Sequence, residues 1–221
     1  MKAVSGQAHY IATLTEPAPI RIWWDFAGIV DMLYWNLNQS ILDAIEYQTI
    51  SADGTGKNQT GILNTSGVTV QHYNTDLPTT LRSAVTKMQT LGEQPNGWAL
   101  NPADAQAINL LRWQTDGGFP SGGYENDPGA RYGTRANIFG SNDIQRIVTP
   151  HVPPGVAILG DFNQLQLFIR HAVCIDVATQ GAPGAADLFS YNQFQLRCEI
   201  PVGVGVLRPQ AYCTTCIKPG S

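Results

Sequence analysis

Cys213 and Cys216, separated by Thr214 and Thr215, are the residues most suggestive of chemistry. Their spacing is that of half a zinc site. No second pair matches it, so Cys174, Cys198 and His171 would have to converge from other strands. Cys198 falls on the apolar side of an alternating stretch, where a packing cysteine sits. No metal is expected. His9, His72, His151 and His171 are scattered, with no serine or cysteine in a nucleophile elbow. His171 and Asp176, five positions apart, would point to opposite faces of a strand. Asp161 and Asp176 could pair as carboxylates, or each could be a hydrogen-bonded surface group. Gly56 and Lys57 invite a phosphate-loop assignment, but the four-residue glycine spacing and the hydroxyl after the lysine are absent. Asp116, Glu125 and Asp127 lack calcium-loop spacing. No catalytic constellation, cofactor or metal site emerges.

The elements that must carry these residues are organised around one stretch. From Asp25 to Ser51, Phe26, Val30, Leu33, Leu37, Ile41 and Ala44 recur at steps of three and four, which predicts a helix. Ile29, Met32, Trp35, Leu42 and Ile45 are expected to widen its apolar band. Pro19 blocks helix from the left, Asp25 can cap, and Asp53 with Gly54 ends it. At ~1.5 Å per residue such a helix is about 40 Å long, a spine too long for one core. Asp31, Asn36, Asn38, Gln39 and Ser40 interrupt it, which excludes a membrane span.

The 221 residues suffice for one large or two modest domains. Charged residues make up only 14%, against roughly 25% in ordinary soluble chains. Either large buried interfaces or ordinary compositional variation accounts for this. A net charge of −4 argues against a dominant nucleic-acid role. Four cysteines are too few for a disulfide scaffold, and no signal peptide precedes them, so synthesis inside the cell with reduced thiols is expected.

Strand-like pieces precede the spine at His9 to Thr15 and Ile20 to Trp24, where Trp23 and Trp24 are core residues or interface anchors. After it come a Gly-punctuated loop, a short strand at Val68 to His72 and a helix at Leu77 to Leu91. A brief strand begins at Trp98. Pro102 opens a helix that ends near Trp113. The long loop from Gln114 to Asn137, with charges at Asp116, Glu125, Asp127, Arg131 and Arg135, is expected to be mobile or ordered by a partner. Strands follow at Ile138 to Pro154, Gly155 to Asp161, Gln164 to His171 and Val173 to Val177. The longest alternation runs from Phe194 to Val206, with Pro201 expected to bend it.

Together these residues form a recognisable series. It consists of Asp53, Gly54, Thr55 and Gly56 after a long helix; Gly61 to Asn64; Trp98 to Pro102; Ile138 to Gly140; Pro154 to Phe162; Phe189 and Asn192; Arg197 and Glu199; and Arg208 to Tyr212. Their order resembles the HK97-type major capsid proteins of tailed phages and prophages, over roughly Asp25 to Tyr212. The resemblance implies an α+β fold with a central mixed sheet. It places a peripheral domain at 1–61 and 176–201 with the spine at 25–51, and an axial domain at 62–175 and 202–217. Asp53, Gly54, Gly56, Gly160, Asp161, Arg197 and Glu199 become structural motif positions.

The function implied is a virion shell subunit, assembled in the bacterial cytoplasm from pentamers and hexamers. Scaffold, protease and portal proteins are its expected partners, and neither a membrane nor specific nucleic-acid recognition is involved. Asn192 matches a position cross-linked to a neighbour's lysine in some members; no donor lysine is evident, so a plain structural role is expected. Only 24 residues precede the spine, too few for both an N-terminal arm and a long hairpin loop. The alternatives are an encapsulin-like compartment shell and a soluble α+β enzyme using the Gln114 to Asn137 loop.

Overall fold

The computed structural model describes residues 7–25, 27–110, 144–181 and 187–218. In chain order the elements are β1 (His9–Leu14), β2 (Ala18–Pro19), α1 (Ile20–Asp25), α2 (Ala27–Ile50), β3 (Thr69–Gln71), α3 (Leu77–Thr90), β4 (Gly97–Leu100) and α4 (Pro102–Asn109). Then follow β5 (Gln145–Val148), β6 (Val156–Gly160), β7 (Leu165–Ile169), β8 (Cys174–Ala178), β9 (Gln193–Val206) and β10 (Tyr212–Cys216). Residues 1–49, 54–59 and 167–205 form one compact unit; 50–53, 60–166 and 206–221 form the other.

In the first unit β9 is the axis of a five-stranded sheet, pairing with β1, β2, β7 and β8. Strand alternation sends Phe194, Leu196, Cys198, Ile200 and Val202 to one face, where they pack with Leu37 and Ile41 of α2. The strand runs unbroken through Pro201, which pairs with Tyr10. Pro201 accepts from the Arg170 amide at 3.3 Å, so its missing N–H also faces Arg170, just beyond the end of β7. The bend expected at this residue is not a strand break.

Two expectations for this unit are corrected. Ile20 to Trp24 is helical, within α1, and not a strand. The spine helix is Ala27–Ile50, shorter at its start than the expected Asp25 to Ser51, because Asp25 is the last residue of α1. Tertiary packing overrides the strand-like alternation, because Trp23 lies edge-on to both Tyr34, with centroids 6.1 Å apart, and Phe194, at 5.3 Å. No helix among the described residues is long and apolar enough to cross a membrane.

In the second unit the strand order is β3-β10-β6-β4-β5. The sheet is covered on both faces. Trp98, Leu100, Leu159 and Cys213 meet Leu81, Val85 and Met88 of α3 and Ile108 of α4. Ala99, Ile158 and Tyr212 meet Ile62, Val152 and Val206. Asn101 caps α4 by accepting from Ala103 N at 3.0 Å.

Asp76 caps α3 by accepting from Thr79 N at 2.7 Å, and hydrogen bonds from Thr79 hold its carboxyl below the ordinary aspartate range. A carboxyl with a depressed folded pKa stabilises above its unfolded value, and that stability is lost as pH falls through the folded pKa. Asp76→Asn keeps an acceptor but no charge. Its urea midpoint is expected to trail that of the parent above about pH 4 and to converge with it in stronger acid. A gap independent of pH would contradict the charged cap.

Candidate functional site

The helix α2 carries apolar side chains on two opposed sides. At about 100° per residue, Met32, Trp35 and Leu42 fall within roughly 80° of one another, opposite Leu37 and Ile41. Leu37 and Ile41 are buried, but Met32, Trp35 and Leu42 are exposed, Trp35 at 63%. The broad buried band expected of this helix is therefore two separate stripes. Elsewhere in this unit Trp24 is 74% exposed and Phe189 72%, with Tyr10, Leu14, Phe168, Ile169 and Tyr191 also open. Isolated exposed apolar groups are ordinary, but a clustered set marks an interaction surface.

On the face of β9 away from α2, the motif residues Arg197 and Glu199 join a cross-strand network. Arg197 Nη2 lies 2.8 Å from Asp176 Oδ2 and its Nε lies 3.5 Å from Glu199 Oε2. Register places Asp176 opposite Arg197 and Cys174 opposite Glu199. The Asp176 carboxylate pushes the Cys174 thiol up, and burial pushes Cys198 and Cys213 up, so none of the three is activated as a thiolate. All four cysteines are free thiols. Alternation along β10 sends Cys213 and Cys216 to opposite faces of the strand, away from a shared ligand position. His171 packs its ring near Tyr10 at 6.2 Å, and its Nδ1 lies 2.9 Å from Ala172 O.

Asn192 is exposed and left-handed, with φ 53°. Asparagine tolerates that region better than most residues. Its carbonyl accepts from Ile20 N at 2.8 Å, holding the turn into β9 against the start of α1.

After α2, Asp53 and Thr60 form an isolated bridge, and Gly54 and Gly56 take φ values of 72° and 62°. A 3-10 turn at Ile62–Asn64 follows, not a helix, so Lys57 does not sit in a phosphate cradle. Gln59, with no signal in the sequence, docks this loop. Its Nε2 donates to Gln7 O at 3.2 Å and Val202 O at 3.1 Å, and its amide donates to Gln48 Oε1 at 2.7 Å.

In the second unit, Asp161 accepts from Asn96 Nδ2 at 2.7 Å, Asn163 N at 3.1 Å and Gln164 Nε2 at 3.1 Å. Asn96 Oδ1 in turn accepts from Phe162 N at 2.9 Å. Asp161 and Asp176 thus have separate hydrogen-bonding partners. Gly160 lies against the Tyr212 ring, which a Cβ would strike at 2.3 Å. Asp116, Glu125, Asp127, Arg131, Arg135 and the loop Gln114 to Asn137 lie outside the described residues. The arrangement fixes turns and edges, and it leaves apolar surface open.

The phage capsid family model matches residues 7–215. The chain belongs to the phage capsid family. Its fold is HK97-like: a protein of Mycobacterium phage Ogopogo superposes with a TM-score of 0.69 at 19% identity, covering 95% of this chain and 75% of that one. The capsid of a native GTA particle gives 0.70 at 16% identity, covering 97% and 74%. A virus-like particle from Pyrococcus furiosus gives 0.59 at 14% identity, covering 94% of this chain and 76% of that one. No curated protein matches. As a member of this family the phage capsid chain is a structural shell subunit of the virion, and the family match favours this over an encapsulin-like shell.

Proposed function

We propose that this capsid subunit closes pentamers and hexamers of an icosahedral head through contacts between copies, without catalysis. In this proposal the unit containing α2 and β9 is the peripheral domain, and the unit containing the β3-β10-β6-β4-β5 sheet is the axial domain. Assembly takes place in the bacterial cytoplasm, with scaffold, protease and portal proteins as partners. Asn192 serves as a turn residue, and the network of Asp176, Arg197 and Glu199 stiffens the sheet.

The observation that carries the proposal is the outward stripe Met32, Trp35 and Leu42, opposite the buried Leu37 and Ile41. Fully burying a large apolar side chain is worth about 1.5–3 kcal/mol. Three such residues per copy, repeated around a closed shell, stabilise assembly without adding to the fold of one chain. The double variant Trp35→Glu with Leu42→Glu is therefore expected to keep the parent's circular dichroism and melting temperature as a free subunit. In velocity sedimentation it should lose the fast-moving assemblies. Particles of normal size and yield from this variant would sink the proposal.

A further inference from the structure

Asn96 and Gly97 form the one Asn-Gly pair in the 221 residues. Such a pair is the most labile setting for an asparagine, because glycine has no Cβ to keep its amide nitrogen from the preceding side chain. The fold uses both residues. Asn96 Nδ2 donates to Asp161 Oδ1 at 2.7 Å, and Phe162 N donates to Asn96 Oδ1 at 2.9 Å. A Cβ on Gly97 would lie 2.9 Å from both Cδ2 and Cε2 of Phe162, whose ring stands edge-on to the buried Tyr212. The backbone is held as well. Asn96 N donates to Gly160 O at 2.9 Å and Gln145 N donates to Asn96 O at 3.0 Å. Gly97 starts β4 opposite Gly160 and Gln145. Ring closure needs the Asn96 carboxamide to turn back onto the Gly97 nitrogen, close and aligned. Both ends of that carboxamide are occupied, so the folded subunit holds the pair out of the reactive geometry.

We propose that Asn96 is a latent modification site, which deamidates when the start of β4 opens and then hinders the second unit's sheet from re-forming. The Gly97 nitrogen attacks Asn96 Cγ, a C–N bond forms, and ammonia leaves with the proton of that amide. Water then opens the cyclic imide at either carbonyl, leaving aspartate or isoaspartate at position 96. Either product puts a carboxylate where Nδ2 donated to Asp161, so a hydrogen bond becomes a like-charge contact. The isoaspartate also adds a methylene to the main chain immediately before β4, which shifts Gly97 against Gly160 and Gln145. A closed subunit is spared, and one that opens long enough is marked.

The test is mass spectrometry of the Asn96 peptide from the full chain, aged at mildly alkaline pH in buffer and in urea. Conversion is expected to run at least about tenfold slower in buffer than in urea, since it tracks the opened population. Chains aged in urea and then diluted into buffer should divide on a sizing column, with the folded fraction depleted of the deamidated form. The variant Asn96→Asp should either fail to fold or unfold at a urea midpoint lower by at least about 0.5 M. Equal conversion in buffer and in urea, or none in urea, overturns the latent site. A folded fraction as rich in the deamidated form as the starting pool, or an Asn96→Asp midpoint equal to the parent's, overturns its effect on the sheet and with it the proposal.

Discussion

Alanine at Gly160 is expected to destabilise the subunit by about 3 kcal/mol. Gly160 ends β6 and pairs with Tyr212 at the start of β10. An added Cβ would lie 2.3 Å from Tyr212 Cδ1, 2.8 Å from Cε1 and 3.1 Å from the Ala211 carbonyl oxygen. The ring has no room to yield: it is fully buried and held edge-on by Phe162, with centroids 5.8 Å apart. Relief would require β6 and β10 to separate, at the centre of the sheet. Burial also raises the Tyr212 hydroxyl pKa, with the Asp161 carboxylate adding to the shift. Pairing Gly160→Ala with Tyr212→Leu should therefore cost less than the two single losses together, since the second change removes the atoms the methyl strikes. Urea unfolding of the four proteins measures this. A loss below about 0.5 kcal/mol for Gly160→Ala would show that the ring moves freely.

The second large effect is expected at Asp104, a carboxylate only 2% exposed in the first turn of α4. Its Oδ2 accepts from Gly155 N at 2.6 Å and its Oδ1 lies 3.0 Å from Lys218 Nζ. The Lys218 side chain is half exposed, so water compensates much of what it would lose. The Gly155 amide has no such recourse. Asp104→Ala is expected to cost about 2–4 kcal/mol, mostly from leaving that buried donor unpaired. Lys218→Ala should cost clearly less. Equal losses in the two variants, by thermal or urea unfolding, would mean that the ion pair and not the amide bond is what matters.

The sequence exposes most of the fold because its signals are local and periodic. The alternation from Phe194 to Val206 becomes β9, and the three-four spacing after Ala27 becomes α2. Capping chemistry marks α3 and α4 through Asp76 and Asn101. Where the signal depends on what a residue meets across the chain, it fails. Ile20 to Trp24 alternates like a strand, but Trp23 finds Tyr34 and Phe194 and the segment coils. Periodicity cannot assign Trp35 and Leu42 to a core or to an outer face, because apolar residues on both sides of α2 are equally regular. Gln59, Asn96 and Asp104 are ordinary polar residues in the sequence. Their importance comes from buried amides and carbonyls contributed by segments as distant as Gly155 and Val202. Gly160 is legible only by resemblance, since nothing local shows that Tyr212 will lie against it.

Electron microscopy of the purified full chain shows whether copies of the subunit assemble. Rings or closed shells built of repeated copies are expected, because the outer stripe of α2, Met32, Trp35 and Leu42, is exposed on the single subunit. A population of single subunits at every concentration and salt condition, with Trp35 still open to solvent, would contradict the account.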